Sequence, residues 1–313
     1  MIALQLSRRT ARYVLWPRID QKSCLKSMLS LGLEVIVIEP ILNESKGLTT
    51  NLEAIKNQIE LRRAENILAI HSTISCFAPR QPDNIDQIAL ISHEFNIPHI
   101  VNGAYFLQSK KSVNLLNSAL RKNRRVDCVV CSTDKNFMTP VGGAIILSST
   151  KGEQSMTERI ANNYPGRASM SPKLDLFITL LEMGRGGYKK LLEDQKSNFN
   201  FLLEELNMLA EKHNTKIISS NQISISVSLK PLLEKMKDLK EIGSMLFTRN
   251  VSGPRVVTCS GSKNISSIEL ERFGCSSSHF NEPYLALACA VGMKKSEIEK
   301  LIQKLDSIFS LHV

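Results

Sequence analysis

The first half of the chain alternates short apolar runs with amphipathic segments, which is the pattern of strands and helices that follow one another. Apolar runs predict six strands, at 13–16, 35–38, 67–70, 98–102, 126–131 and 144–147. Apolar residues at helical spacing predict four helices, at 21–31, 48–63, 85–95 and 112–120. Because strands and helices alternate, we expect βαβ units and a mostly parallel sheet, an α/β fold.

The second half of the chain has a different pattern. Helices are predicted at 171–183, 188–213, 231–247, 283–291 and 295–309. The glycine-rich stretch 184–187 predicts a turn between the first two of them. Serine and apolar residues alternate over 223–229, which predicts a half-exposed antiparallel strand. We therefore expect residues 1–190 to belong to a large domain and residues 191–313 to form a smaller α+β domain.

Composition and charge narrow the class of protein. Hydrophobic residues make up 42% of the 313 and charged residues 22%, which is ordinary for a globular chain without low-complexity tracts. No apolar run is long enough to span a membrane, and the first residues lack the order of a signal peptide. We expect a soluble cytoplasmic protein with no membrane partner.

The net charge of +10, from 40 Lys and Arg against 30 Asp and Glu, favours a polyanionic partner such as RNA. The basic residues are locally dense at Lys110, Lys111, Arg121, Lys122, Arg124 and Arg125. Such a cluster is typical both of an RNA contact and of a solvated helix face, and the sequence leaves both interpretations open.

Seven cysteines are scattered along the chain, an odd number that does not indicate a disulfide framework. Cys128 and Cys131 have C-x-x-C spacing, but residues three apart on a strand point to opposite faces of the sheet. We therefore predict no metal site there, and two buried small side chains instead.

Lys135 lies directly after the apolar run 126–131, and Pro140, Gly142 and Gly143 then reverse the chain. Ligands of open α/β sheets bind at the carboxyl ends of strands. A lysine held there between apolar walls can lose its proton more easily, which makes the amine a nucleophile suited to the Schiff base of pyridoxal phosphate (PLP). The residues alone leave open a second interpretation, a lysine exposed to solvent.

Three stretches resemble one enzyme family, and shorter ones support them. They are WPRIDQKS at 16–23, DKNF at 134–137 and YPGRAS at 164–169, with HST at 71–73, CFAPR at 76–80, MLFTR at 245–249, VSG at 251–253 and RVV at 255–257. On these motifs the chain, from about Arg12 to its end, is identified as a member of the O-phosphoseryl-tRNA(Sec) selenium transferase family, the selenocysteinyl-tRNA synthases.

The resemblance implies the aspartate aminotransferase-like fold type I of PLP-dependent transferases, with residues 1–190 as the remainder of its PLP-binding domain. It implies that Lys135 carries PLP and that Asn102 pairs with the pyridine nitrogen. Ser132 is expected near the cofactor phosphate and Gln21 near the cofactor. The residues alone favour other interpretations. Asn102 is typical of a turn before Gly103, Ser132 of a cap at a strand end and Gln21 of a surface position. Gly103 itself departs from the family, which typically has a second asparagine there.

Two arginines are expected by the same resemblance to bind the substrate. Arg167 lies in a loop fixed by Pro165 and Gly166, and its planar guanidinium suits the phosphate of phosphoserine. Arg255 is expected near the acceptor end of the tRNA. Alone, a loop arginine reads as solvated.

The implied activity is the PLP-dependent conversion of O-phosphoseryl-tRNA(Sec) to selenocysteinyl-tRNA(Sec), with selenophosphate as selenium donor and a homotetramer as the assembly. Two rivals remain from the sequence. One is a non-catalytic relative that keeps a tRNA- or partner-binding surface. The other is a different fold type I PLP lyase or a cysteine desulfurase, although no cysteine has the mobile-loop context that a desulfurase needs.

The first residues of the chain also lead to an expectation about activity. Residues 1–7 resemble the end of a helix whose phosphate-binding turn should precede it, and family members continue on that side. We expect either a fragment or a shortened relative, and we expect residues 1–313 alone not to turn over phosphoseryl-tRNA.

Overall fold

The structure is a computed structural model that describes residues 1–43, 47–122, 124–148 and 155–310. The strands are β1 Tyr13–Pro17, β2 Glu34–Ile38, β3 Ile41–Asn43, β4 Gly47–Thr49, β5 Ile67–Thr73, β6 His99–Asn102, β7 Cys128–Ser132, β8 Ala144–Ser148, β9 Ile217–Ser220, β10 Ser224–Ser228, β11 Arg255–Val257, β12 Ser262–Ile265, β13 Ile268–Glu271 and β14 Tyr284–Ala288. The helices are α1 Ile2–Gln5, α2 Lys22–Leu29, α3 Leu52–Arg62, α4 Ile85–Glu94, α5 Lys110–Arg121, α6 Thr133–Phe137, α7 Met156–Asn163, α8 Ser171–Lys212, α9 Glu241–Thr248 and α10 Lys295–Ser310.

The larger sheet has six strands in the order β2-β1-β5-β6-β7-β8. Neighbouring strands are parallel except for β8, which runs antiparallel to β7. Helices cover the sheet on both faces, so its central strands need apolar residues on both sides, and β5 is buried at every position. The prediction of a mostly parallel α/β sheet is confirmed.

The two cysteines of the C-x-x-C motif lie on opposite faces of β7, as predicted. Cys128 packs in the apolar cluster that contains Trp16 and Leu25. Cys131 packs in the cluster that contains Phe106 and Leu116. Among the described residues no group of three or more His, Cys, Asp or Glu side chains could hold a metal ion.

A second sheet of four antiparallel strands, in the order β11-β14-β10-β9, packs against α9, α10 and the end of α8. The antiparallel strand predicted over 223–229 is present as β10, but the prediction that it is half-exposed is wrong, because all five positions are buried. Its serines face other protein groups. The Ser224 hydroxyl accepts a hydrogen bond from the backbone N–H of Ala78 at 2.7 Å, and Ser226 donates to the carbonyl of Ser219 at 2.9 Å.

The helix predicted over 283–291 is also wrong, since this segment contains the central strand β14. Leu285 and Leu287 pack in the cluster under the second sheet, whereas Tyr284 and Ala286 pack in a different cluster. That period of two is the signature of a strand. Leucine and alanine favour helices, but pairing with β10 and β11 on both sides overrides this preference.

Two further helix predictions were too long. The segment 48–63 contains the end of β4 before α3, whose first turn is capped by the Asn51 side chain through the N–H of Ala54 at 2.9 Å. The segment 231–247 is helical only from Glu241, after a single 3₁₀ turn at Lys230–Leu232. The hairpins β3–β4 and β12–β13 were not predicted.

Helix α8 is interrupted where the glycine-rich turn was predicted. Gly184 has φ of 61° and ψ of 172°, a conformation outside the helical region, and the helix resumes after it. The predicted turn is therefore a kink at one residue, and Gly186 and Gly187 lie within the second part of the helix. Along the described residues, every helix is too short or too polar to cross a membrane.

A buried ionic network joins the carboxyl end of β1 to the segment that follows β13. Arg18, only 1% exposed, donates to the carboxylates of Asp20 and Glu39 at 2.9 and 2.7 Å and to the carbonyl of Glu271 at 2.6 Å. Asp20 also accepts hydrogen bonds from the backbone N–H groups of Gly274 and Ser276 at 2.6 and 2.8 Å. The loop after β13 is thus fixed against the carboxyl end of β1 in the larger sheet.

Candidate cofactor site

Lys135 lies one turn beyond the carboxyl end of β7, in the short helix α6. Its Nζ atom is 3.1 Å from the Ser132 hydroxyl, 3.2 Å from the Asp134 carboxylate and 5.7 Å from the centre of the Tyr105 ring. The expected apolar walls are therefore only partly present, because two of the three neighbours of the amine are polar. The arrangement fixes the direction of the lysine side chain beside the strand end.

Asp134 accepts hydrogen bonds from Ser132 and Lys135. Partial burial raises the pKa of Asp134, but these hydrogen bonds lower it by more, so the net pKa lies below its ordinary value. Asp134 is therefore a carboxylate at neutral pH and holds the amine of Lys135 by charge as well as by geometry.

Asn102 ends β6, the strand next to β7, and is 9% exposed. Its amide oxygen accepts the N–H of Ala104 at 3.1 Å, and its amide nitrogen donates to Cys24 Sγ at 3.2 Å and to Gln21 Oε1 at 3.5 Å. Asn102 and Gln21 thus lie together, as predicted. The link to the lysine helix is Asn136, whose amide donates to the carbonyls of Ala104 and Ser132 at 2.8 and 2.7 Å.

A cavity of about 530 Å³ lies over one face of the larger sheet beside Asn102. Alternate side chains of four neighbouring strands form its floor, namely His71, Ile100, Asn102, Cys128, Val130 and Ile146. Residues of α1, α2 and α7 and of the loop after α7 form its walls. A cavity of this size, mostly apolar with a few polar groups, is typical of cofactor sites.

Burial sets the protonation of two groups in this cavity. It lowers the pKa of His71 to about 4, so the imidazole is neutral at physiological pH. It raises the pKa of Cys24 to about 11, so this thiol remains protonated. Within the described part of the chain, the buried Nδ1 atom of His71 has no hydrogen-bond partner, and it belongs to a residue that lines the cavity.

A second cavity, of about 270 Å³, lies between the two sheets. Gln21, Tyr105 and Arg255 line it, together with Gly274 and Tyr284. Arg255 begins β11 and is exposed. Gln21 thus lies between the two cavities, since it lines the second and contacts Asn102, which lines the first.

Arg167 lies in the exposed loop between α7 and α8. Tyr164 and Pro165 of this loop line the first cavity, whereas Arg167 itself does not. The guanidinium makes no hydrogen bond or ion pair with any other residue that the structure describes. It is therefore free to contact a ligand at the mouth of that cavity.

The structure thus places Asn102 at the end of β6 and Ser132 and Lys135 at and just after the end of the adjacent strand β7, with Gln21 in contact with Asn102. Arg167 lies apart from them in an exposed loop, and Arg255 lines the second cavity. Sequence analysis did not single out Cys24 or Tyr105. Tyr105 comes three residues after the end of a predicted strand, so the strand-end argument that found Asn102 could have included it. Cys24 carries no such signal, because its contact depends on how α2 packs on the sheet.

Comparison with known proteins identifies the family. The family model of O-phosphoseryl-tRNA(Sec) selenium transferase matches residues 1–310. An O-phosphoseryl-tRNA(Sec) selenium transferase of Dictyostelium discoideum is 41% identical over 97% of this chain and 66% of its own length. The crystal structure of an archaeal O-phosphoseryl-tRNA(Sec) selenium transferase is 30% identical and superimposes with a TM-score of 0.84, over 98% of this chain and 67% of that one.

The fold is shared more widely than the sequence. A cysteine desulfurase from Thermococcus onnurineus NA1 superimposes with a TM-score of 0.66 at 11% identity, over 99% of this chain and 76% of that chain, which shows the fold alone. The fold is fold type I of the PLP-dependent enzymes, as expected. The chain spans 63–66% of the length of the first three curated relatives that it matches.

The residues present fit PLP. An amine at one strand end can hold the cofactor aldehyde, and an amide N–H at the next strand end can meet the pyridine nitrogen. The unpartnered Nδ1 atom of His71, in the cavity that Asn102 also lines, fits a polar ligand rather than an apolar filling; Lys135 and Ser132 lie beside this cavity's strands but do not line it. From the match over residues 1–310, the identity of its relatives and this geometry, the chain belongs to the O-phosphoseryl-tRNA(Sec) selenium transferase family.

Proposed function

We propose that this chain takes part in selenocysteine biosynthesis in the cytoplasm, as a PLP-dependent transferase that converts O-phosphoseryl-tRNA(Sec) to selenocysteinyl-tRNA(Sec) with selenophosphate as donor. The observation that carries the proposal is the family match over residues 1–310, joined to the amine of Lys135 and the amide of Asn102 at adjacent strand ends. When bound, PLP supplies an electron sink for the α-carbon of phosphoserine.

In this proposal Lys135 attaches the cofactor and, once displaced by substrate, moves the proton at the α-carbon. Asp134 and Ser132 support this role, because their contacts at 3.2 and 3.1 Å hold the amine in one direction. Asn102 holds the pyridine nitrogen through its amide N–H. The orientation of this amide is supported by the hydrogen bond that its oxygen accepts from the backbone N–H of Ala104. Gln21 and Ser132 complete the cofactor contacts.

Arg167 is proposed to neutralise the leaving phosphate, and Arg255 to contact the tRNA acceptor end. Support for Arg167 comes from its exposed guanidinium in a loop whose Tyr164 and Pro165 line the first cavity. Support for Arg255 comes from its exposed position on the second cavity. The net charge of +10 suits a tRNA partner.

We propose in addition that the chain divides near residue 190 into the remainder of the PLP-binding domain and a smaller α+β domain. The apolar cluster under the second sheet supports this division, since its buried members all come from Leu202 onward. A homotetramer, the assembly expected of the family, is proposed on resemblance alone.

The test uses the chain loaded with PLP and reduced with borohydride, followed by peptide mapping and a selenium-transfer assay with phosphoseryl-tRNA(Sec) and selenophosphate. A pyridoxyl group on Lys135 together with selenocysteinyl-tRNA would support the proposal. Lys56→Ala serves as the matched control, because Lys56 is an exposed lysine on α3 outside the basic cluster.

The outcomes separate the rivals. Labelling at Lys135 without selenium transfer would favour the non-catalytic relative. Labelling with release of small-molecule products from free phosphoserine or cysteine would favour another PLP lyase or a desulfurase. If PLP still bound covalently to the Lys135→Ala variant, the assignment of Lys135 as the cofactor lysine would be wrong.

A further inference from the structure

Two free thiols touch each other at the edge of the second cavity. Cys259 follows β11 and Cys275 follows β13, and their sulfur atoms are 2.7 Å apart although the residues are 16 positions apart in the chain. The thiol of Cys275 donates to Cys259 Sγ, and the thiol of Cys259 donates to the carbonyl of Glu282 at 3.2 Å. Each sulfur is therefore aimed by a contact of its own.

The backbone around both thiols has an uncommon conformation. Cys259 has φ of 53°, Gly274 of 110° and Ser276 of 58°, all in the left-handed region. Residues with side chains adopt this region only where their surroundings hold them there. These loops therefore present the two sulfurs to each other at some conformational cost, which is unusual for cysteines that act only as small apolar side chains.

A metal site does not account for the pair. A structural zinc ion takes four ligands, and the described residues contain no group of three or more His, Cys, Asp or Glu side chains. The two thiols differ in exposure, since Cys275 is 1% exposed and Cys259 is half-buried. An oxidant that reaches the pair from solvent therefore meets Cys259 first.

We propose that Cys259 and Cys275 are a redox modification site that closes to a disulfide with a low-molecular-weight disulfide, such as oxidised glutathione, as the oxidant. The Cys259 thiolate attacks one sulfur of oxidised glutathione, and one glutathione leaves as its thiolate and takes up a proton. The Cys275 thiolate then attacks the Cys259 sulfur, and the second glutathione leaves. Two protein thiols are oxidised and one glutathione disulfide is reduced to two thiols.

The two thiols react slowly with a disulfide oxidant. The hydrogen bond with Cys275, with burial, raises the pKa of the Cys259 thiol, so the reactive thiolate is its minor form. The first step therefore needs a sustained supply of oxidant. The second step is intramolecular between sulfurs already in contact, so the mixed disulfide does not accumulate.

The crosslink would fix one wall of the second cavity. The loop that carries Cys275 also provides the N–H groups of Gly274 and Ser276 that bind Asp20, and its Gly274 carbonyl accepts the hydroxyl of Tyr284 at 3.0 Å. Oxidation would tie this loop to the end of β11, the strand that begins with Arg255. This inference concerns only the chain's own thiols and does not depend on the proposed function.

The test incubates the fully reduced, folded chain with oxidised glutathione for several time points, followed by thiol titration and peptide mapping without reductant. We expect the chain to lose two of its seven thiols and to yield a linked peptide pair that contains Cys259 and Cys275. Cys289→Ser, at a buried cysteine outside the pair, is the matched control and should lose two thiols in the same way. Cys275→Ser should instead retain one glutathione on Cys259, and Cys259→Ser should lose none.

Three results would overturn the proposal. They are a glutathione adduct that persists on Cys259 of the unaltered chain, a link that involves a different cysteine, and retention of all seven thiols under conditions that oxidise the urea-unfolded chain. Because Cys259 is half-buried, its serine variant is expected to fold even if Cys275→Ser does not, so the comparison does not depend on the buried position.

Discussion

At the scale of single residues, the candidate site holds side chains whose direction protein contacts fix and one exposed arginine without such a contact among the described residues. Lys135 and Asn102 each have protein partners that set their direction. Arg167 is exposed in the loop whose Tyr164 and Pro165 line the first cavity, and it has no protein partner among the described residues. Substitution of Arg167 should therefore act on substrate rather than on the cofactor.

We expect Arg167→Ala to weaken the binding of phosphoseryl-tRNA by about 10- to 150-fold, because a hydrogen bond to a charged group contributes about 1.5–3 kcal/mol. The PLP dissociation constant should stay close to that of the unaltered chain. Titrations of PLP absorbance and of phosphoseryl-tRNA binding measure the two separately. Arg185→Ala, at an exposed arginine of α8, is the control. Loss of PLP with normal handling of phosphoseryl-tRNA would assign Arg167 to the cofactor instead.

Two buried histidines give the chain a predictable acid sensitivity. Burial lowers the pKa of both His71 and His99 to about 4, from an ordinary value of 6.5. Above pH 6.5 both are neutral folded and unfolded, so they add no pH dependence. Between pH 6.5 and 4 only the unfolded chain takes up protons, so the free energy of unfolding falls as the pH falls, by up to about 1.4 kcal/mol per pH unit for each histidine.

Urea unfolding of the chain without PLP at several pH values tests this expectation. His71→Gln should remove one histidine's share of the slope between pH 6.5 and 4, whereas His279→Gln, at an exposed histidine, should leave the slope unchanged. Equal slopes in all three proteins would show that His71 takes up its proton in the folded state.

The sequence predicted the strand-end residues well, because a polar side chain after an apolar run is a local pattern. Lys135, Asn102 and Ser132 were all found in this way or by motif. The partners of these residues were harder to predict. Cys24 contacts Asn102 across 78 positions, and nothing local in either segment records that contact.

At the scale of elements, the predictions failed where tertiary pairing outweighs local preference. The alternating serines of β10 predicted a solvent-facing side, but they are buried and contact the loop after β5 and strand β9. The leucines and alanines of β14 read as helical, but the strand is central in its sheet. The larger sheet was easier to predict, because strands buried on both faces give continuous apolar runs.

The kink in α8 allows a matched test with two glycines of one helix. Gly184 has positive φ, so Gly184→Ala should destabilise the chain by about 1 kcal/mol or more. Gly186 is exposed, lies within the resumed helix and would place a Cβ in open space, so Gly186→Ala should stabilise by about 0.5–1 kcal/mol. Midpoints of urea unfolding give both values. If both substitutions stabilised, the helix would be continuous through residue 184.

At the scale of the whole molecule, the ionic network of Arg18, Asp20 and Glu39 fixes the segment 271–278 to the carboxyl end of β1 in the larger sheet. Asp20 has a side chain only 2% exposed, and it pairs with an equally buried Arg18. Removal of Asp20 leaves Arg18 with Glu39 as its remaining carboxylate, and it leaves the N–H groups of Gly274 and Ser276 without their acceptor. Loss of one member of such a buried ionic and hydrogen-bonded set costs about 3–5 kcal/mol. The sequence could not predict this network, since Arg18 and Asp20 find their backbone partners more than 250 positions away.

We expect Asp20→Ala to lower the free energy of unfolding by about 3–5 kcal/mol. Asp194→Ala, which removes an exposed pair with Lys190 one helical turn away, should cost about 0.5 kcal/mol or less. Denaturant unfolding of both variants and of the unaltered chain gives the free energies of unfolding to be compared. Similar small losses would mean that water or a rearranged loop compensates Arg18.

The same network has a consequence for the order in which the chain is made. Strands β1 to β8 leave the ribosome well before the loop at 271–278, which comes more than 250 residues after Asp20. A nascent chain therefore carries Arg18 and Asp20 without their last partners for most of synthesis. Since domains made first tend to fold first, the larger sheet forms with one edge still hydrated, and docking of the late loop expels that water. Emergence of the segment 271–278, rather than formation of the sheet, then marks the moment when this edge becomes rigid.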